Sequence, residues 1–293
     1  MTSRDLRQRF LFSDSDIRGE IVRLDASMAQ ALSARDYPPV IQGLLGEAMA
    51  AVTLLTGTLK FEGRLSLQAQ GNGPLSLLLA ECTHDNQVRA LARADLPATD
   101  LEAPLPTLLG EGLIVVTIRP EQGRQYQGLV PMEADTLAGC LEGYFSQSEQ
   151  LPTRLWLAAG NGHAAGLLLQ ALPASTADAH SNHRTWEHVT TLADTLTMEE
   201  LLDLPVDTVL HRLFHETPPD LHAAHPVRFG CTCSREKVRQ TLLSLGSEEL
   251  SSLLADRGEA RVACDFCGHE ELFDAVDLGQ LVHQAGGTAG SPP

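Results

Sequence analysis

Apolar residues predominate in residues 38–60 (PPVIQGLLGEAMAAVTLLTGTLK), broken by Gln42, Glu47 and the threonines. Ala, Leu and Met favour helix, and the Pro pair suits a first turn, so a buried or amphipathic helix is expected there. The pattern then changes. GRLSLQAQGNGPLSLLLAEC sets two apolar runs around Gly71-Asn72-Gly73, which predicts a hairpin. Residues 113–119 (LIVVTIR) predict a strand, with Tyr126–Val130 returning beside it. Residues 135–148 predict a second helix, and TRLWLAAGNGHAAGLLLQALP predicts a second hairpin. Strands and helices interleave without a βαβ rhythm, so the class is α+β.

The texture shifts at Pro173–Asp178. From Asp178 to Arg228 there are nine acids, three arginines and seven of the chain's eleven histidines. Leu192, Leu196, Leu201, Leu202, Leu204, Leu210 and Leu213 keep roughly helical spacing within it. This predicts a polar helical linker with an apolar stripe, divided by Pro205, Pro218, Pro219 and Pro226. The stripe must pack on something, either the N-terminal body or the last unit. Three regions follow: an α+β N-terminal domain over 1–177, a helical, metastable linker over 178–228, and a small C-terminal domain over 229–293. The final AGGTAGSPP is expected to be disordered.

Composition narrows the class. The chain is 43% hydrophobic and 20% charged, with a formal charge of −17. That charge disfavours nucleic acid as a partner, although a local basic patch could escape the argument. MTSRDLRQRFLFSD has no apolar signal core, and the longest apolar runs are read as far short of a membrane span, so a cytoplasmic protein without a membrane partner is expected.

The chemistry concentrates in four of the six cysteines: Cys231-Thr232-Cys233 and Cys264-Asp265-Phe266-Cys267. Four thiolates in two tight pairs can close around one Zn²⁺, and the same neighbours can close two small disulfides. In a reducing cytosol such pairs are more often metal-binding or redox-active than structural. Cys233-Ser234 reads as a helix start, and Cys267-Gly268 as a knuckle whose backbone N–H groups can face sulfur. Arg228, Arg235 and Arg261 could balance the cluster's negative charge. A unit of this size has a marginal core without a metal. Cys82 and Cys140, alone in apolar stretches, read as buried small hydrophobes.

Other motifs carry less. His211 and His215 lie four apart on a predicted helix, but the acid of a zinc-protease motif is missing, and His222 and His225 sit among prolines. A solvated His-rich linker accounts for all four. Gly160-Asn161-Gly162-His163-Ala164-Ala165 matches GxGxxA formally, yet strands flank it and no helix opens there. No phosphate-binding loop and no serine-hydrolase elbow is present, so no enzymatic activity is assigned. A thiol–disulfide oxidoreductase using Cys264 and Cys267 would need a thioredoxin-like context that the last sixty residues lack. A zinc-ribbon module for protein or nucleic acid is a further alternative.

Phe229-Gly230-Cys231-Thr232-Cys233-Ser234-Arg235-Glu236 with Cys264-Asp265-Phe266-Cys267-Gly268 resembles the signature of the bacterial 33 kDa chaperonin (heat shock protein 33) family. So do Leu54–Phe61, Gln70–Pro74, Tyr126-Gln127-Gly128 and Ser148–Leu155. The resemblance implies a cytosolic, ATP-independent holdase that binds unfolding client proteins under oxidative stress. It implies that Cys231, Cys233, Cys264 and Cys267 bind zinc when reduced and are redox-active. Oxidation would pair Cys231 with Cys233 and Cys264 with Cys267, release the zinc, unfold the linker and give a homodimer.

Overall fold

The computed structural model describes residues 5–13, 15–95, 103–173 and 179–287. The composition break at Pro173–Asp178 falls mostly outside these residues, as does most of the C-terminal tail. The chain divides into two compact units, one of residues 1–32 and 36–230, the other of 33–35 and 231–293.

The first unit opens with β1 (Leu6–Phe12), β2 (Ile17–Leu24), α1 (Ala26–Leu32) and α2 (Pro39–Thr58). There follow β3 (Gly63–Gly71), β4 (Leu75–Thr83), β5 (Gln87–Ala94), α3 (Leu105–Leu109), β6 (Gly112–Pro120) and β7 (Tyr126–Val130). After α4 (Leu137–Tyr144) come β8 (Thr153–Gly160) and β9 (His163–Ala171), then α5 (Ala179–Ala193), α6 (Met198–Asp203) and α7 (Val206–Phe214). Three two-residue strands close the unit: β10 (Asp220–Leu221), β11 (His225–Pro226) and β12 (Arg228–Phe229).

Two sheets result. One runs β10-β1-β2-β9-β8 with β11 also on β1; the other runs β12-β5-β4-β3-β6-β7. All pairings are antiparallel except β12 on β5. Both predicted hairpins form, β3–β4 and β8–β9. At the second turn Asn161 and Gly162 both have positive φ, 53° and 79°, the backbone that a two-residue Asn-Gly turn requires. The GxGxxA match is therefore hairpin geometry.

Helix α2 is buried from Ala48 to Gly57 without interruption, because it packs against strands of both sheets. By length and composition it is apolar enough to cross a membrane, which corrects the expectation that no stretch approaches that limit. Here that apolar character serves a core. The predicted 135–148 helix is α-helical only to Tyr144; residues 145–149 form a π turn that ends at Gln150 with φ 54°.

The linker leucines pack on the first sheet. Leu201, Leu210, Leu213 and Phe214 are buried against Phe10, Phe12, Ile17, Ile21, Leu167 and Leu169. Leu192, Leu196, Leu202 and Leu204 border the same cluster. The sheet is thus covered on both faces, and period-two alternation sorts its residues: Leu168 faces the α2 core while Leu167 and Leu169 face the linker. The expected helicity stops at Phe214. Beyond it Pro218, Pro219 and Pro226 leave extended segments that pair with β1 and β5.

The second unit contains α8 (Arg235–Leu243), α9 (Ser247–Arg257), the hairpin β13 (Ala260–Ala263) with β14 (Glu270–Phe273), and α10 (Ala275–Gly287). Its buried apolar residues, among those described, are Leu242, Leu250, Ala260, Phe273, Leu278 and Leu281.

Candidate metal centre

Cys231 and Cys233 lie on the extended segment that leads into α8. Ser234 caps that helix, its side chain accepting from Lys237 N at 3.3 Å, as the Cys233-Ser234 reading anticipates. Cys264 and Cys267 occupy the β13–β14 turn. Cys264 N donates to His269 O at 2.9 Å and Gly268 N donates to Cys264 O at 2.9 Å. Gly268 has φ 70°, so the tight knuckle needs a residue without Cβ strain.

These two segments bring the four sulfurs within 4.8 Å of one another, each half-buried. Cys231 Sγ lies 3.6 Å from Cys264 Sγ, and Cys233 Sγ lies 3.4 Å from Cys267 Sγ. Disulfide sulfurs stand about 2.05 Å apart. A tetrahedral ion with sulfur ligands at about 2.3 Å sets them about 3.8 Å apart. The cluster fits the second geometry, so these four residues could hold a metal ion.

The thiols differ in proton affinity. Burial raises the Cys231 thiol, but hydrogen bonds from the Cys233 backbone and from the three other thiols outweigh it and bring it down to about 7. Burial, then hydrogen bonds with Cys267 and Cys231, push Cys233 upward. Burial also raises Cys267, against a hydrogen bond from the His269 backbone. Backbone N–H groups thus face sulfur in both motifs.

The arginines expected to balance the cluster are engaged elsewhere. Arg228 pairs with Asp85 at 2.8 Å and Arg261 with Glu259 at 2.9 Å. Arg235 pairs with Asp277 at 2.6 Å and lies over the Phe273 ring at 4.2 Å, tying α8 to β14 and α10. A cation at the loop is Lys237, whose Nζ donates to Thr232 O at 2.5 Å, between Cys231 and Cys233. Sequence reading missed it; its position three residues after the cap was the available signal.

The remaining candidates separate from this centre. Cys82 and Cys140 are buried in the first core, and burial pushes the Cys82 thiol up to about 11. His211 on α7 and His215 just past its end are exposed and stack with ring centroids 5.9 Å apart, and no third ligand joins them among the described residues. His222 and His225 are exposed on the extended end of the linker.

Comparison with known proteins agrees with this arrangement. The profile of the Hsp33 protein family matches residues 5–274. The chain is 47% identical over 288 residues to the 33 kDa chaperonin of Pseudomonas aeruginosa, covering 98% of this chain and 97% of that one. It is 48% identical over 294 residues to the 33 kDa chaperonin of Azotobacter vinelandii, covering 100% and 98%. The crystal structure of the 33 kDa chaperonin of Thermotoga maritima shares the fold, with a TM-score of 0.83 at 23% identity over 96% of this chain and 99% of that one. Matched nearly end to end by the family profile and by these relatives, the chain belongs to the Hsp33 protein family.

Proposed function

We propose that this chain is a redox-regulated, ATP-independent holdase of the cytoplasm, and that Cys231, Cys233, Cys264 and Cys267 are its switch. The observation that carries the reading is the tetrathiolate cluster in a unit with so small a core. Family membership supports the chaperone role, since the curated relatives are named chaperonins and not enzymes.

In the reduced form one Zn²⁺ would keep the four thiolates deprotonated and adjacent. The four side chains then act as a staple between the α8 approach and the β13–β14 turn. Structural zinc in small modules contributes roughly 10–16 kcal/mol in apparent terms, more than a unit of this size gains from its own core. An oxidant such as peroxide takes two electrons from each cysteine pair. Each pair closes one disulfide, and each peroxide leaves, with two protons, as two waters. Disulfide sulfurs no longer hold the ion, so the second unit loses its staple.

The linker is the next element to yield. Its grip on the first sheet is Leu201, Leu210, Leu213 and Phe214. Release would uncover Phe10, Phe12, Ile17, Ile21, Leu167 and Leu169 as one apolar face, the kind of surface that captures exposed apolar segments of unfolding proteins. The freed segment 178–228 would then act as a separable, metastable linker, and the uncovered face would favour a homodimer. A charge of −17 would keep such complexes soluble, and it favours protein clients over nucleic acid or a membrane surface. The test is light scattering from a thermally unfolding client protein. The oxidised protein should suppress scattering and the reduced, zinc-loaded protein should not; equal suppression by both would remove the switch.

A further inference from the structure

The first unit holds a cationic cavity that the switch does not use. It has a volume of about 180 Å³ and lies between β1, the end of α2 with the loop that follows it, His84 after β4, and the segment from His222 to β11. Arg7, Arg9, Lys60, His84, His222 and His225 contribute its polar lining, and no carboxylate lines it among the described residues. This is the local positive patch that a net charge of −17 leaves room for.

One buried carboxylate holds the arginines in place. Arg7 Nη1 lies 2.8 Å from Glu20 Oε2, and Arg9 Nε lies 2.7 Å from Glu20 Oε1. Arg9 also donates to Gly57 O at the end of α2. Arg18 stands beside them, its pKa lowered by burial and then by the like charge of Arg9. Among the described residues, each lining arginine keeps a terminal nitrogen outside its hydrogen bonds, Nη2 of Arg7 and Nη1 of Arg9. Lys60 is exposed and makes no ion pair among the described residues. His84 Nδ1 lies 3.0 Å from Gly63 N and 3.4 Å from Gly63 O, which holds its ring at the cavity wall. Among the described residues the cluster therefore has more cation than anion, with guanidinium and ammonium groups as its charged donors.

We propose that this cavity binds a phosphate-class oxyanion and that the bound anion holds the linker end against β1. Three cationic side chains around an enclosure of this size suit a small tetrahedral oxyanion, since guanidinium forks bind such groups with two parallel hydrogen bonds. The His222–His225 wall belongs to the linker, so the cavity is complete only while that segment is docked. A ligand that needs both walls stabilises the docked state by mass action. The proposal concerns the reduced protein without oxidant or client, so its failure would leave the thiol switch untouched.

Hydrogen exchange on the reduced full-length protein tests it, with inorganic phosphate titrated against potassium chloride of matched ionic strength. Phosphate should slow exchange over residues 220–226 saturably, and chloride should not. Lys60→Glu and Lys60→Gln should weaken the phosphate midpoint by about tenfold and about threefold respectively, the direction that loss of a charge-assisted contact predicts. General salting-in or salting-out by phosphate is not saturable and would act alike on all variants. An effect equal in the wild type and both Lys60 variants, or no phosphate-specific slowing, would overturn the site.

Discussion

Burial pushes the Glu47 carboxyl up to about 7 from an ordinary 4.5, on a helix that is otherwise uncharged. Between those values the folded chain keeps a proton that the unfolded chain has lost. Stability is therefore greatest below about 4.5 as far as this group is concerned, and it falls as pH rises toward 7. Because the side chain retains some solvent contact, the loss is about 1–3 kcal/mol. Glu47→Gln should remove that slope, so urea unfolding should show the variant more stable than wild type at pH 8 and not at pH 4. A difference independent of pH would contradict this. The cysteines give a second test of the same kind. The close approaches of 3.6 and 3.4 Å run between the motifs, whereas the proposed disulfides form within them. Peptide mapping after peroxide should find Cys231 joined to Cys233 and Cys264 to Cys267. Cross-linked motifs would mean that the cluster oxidises in place without opening.

Among the elements, α7 bears most directly on linker docking. Phe214 is fully buried, with its ring centroid 5.2 Å from Phe12, edge to face, and 6.1 Å from Phe10. Phe214→Ala should weaken docking by about 3–5 kcal/mol. Exchange over α5–α7 should accelerate, and the reduced protein should gain part of the oxidised protein's power to suppress client aggregation. Faster exchange with no such gain would separate linker release from client capture. The elements also show where sequence reading succeeds. Both Asn-Gly hairpins, α2, the β6–β7 pair and the α8 cap follow from local chemistry, and the leucine stripe announces a docked face without saying where it docks. Strands β1 and β2 are not legible in the sequence, because Arg7, Arg9 and Glu20 interrupt their apolar pattern. Those charges pair around the buried Glu20, a tertiary arrangement that no local pattern reveals. Strand β5 escaped for a different reason: QVRALARA is rich in Ala and Arg, and it is its place beside β4 that makes it a strand. The cysteine spacing made the centre itself legible, while the role of Lys237 depends on a fold-back to Thr232 O that spacing does not show.

The two units differ in what stabilises them. The first has a core wrapped around α2 and a second apolar cluster under the linker. The second has a handful of buried side chains and a thiol cluster. Chelation at neutral pH should therefore unfold residues 231–287 while the first unit keeps its exchange protection. Simultaneous loss in both units would show that they are not energetically separable. The proposed coupling of metal, thiols and client capture is tested most directly by following three quantities together during peroxide treatment: bound zinc, titratable thiols and suppression of client aggregation. One zinc ion per chain should leave as four of the six thiols disappear, and suppression should rise in step. Suppression that appears while zinc and all six thiols remain, or zinc and thiol loss that brings no suppression, would contradict the account.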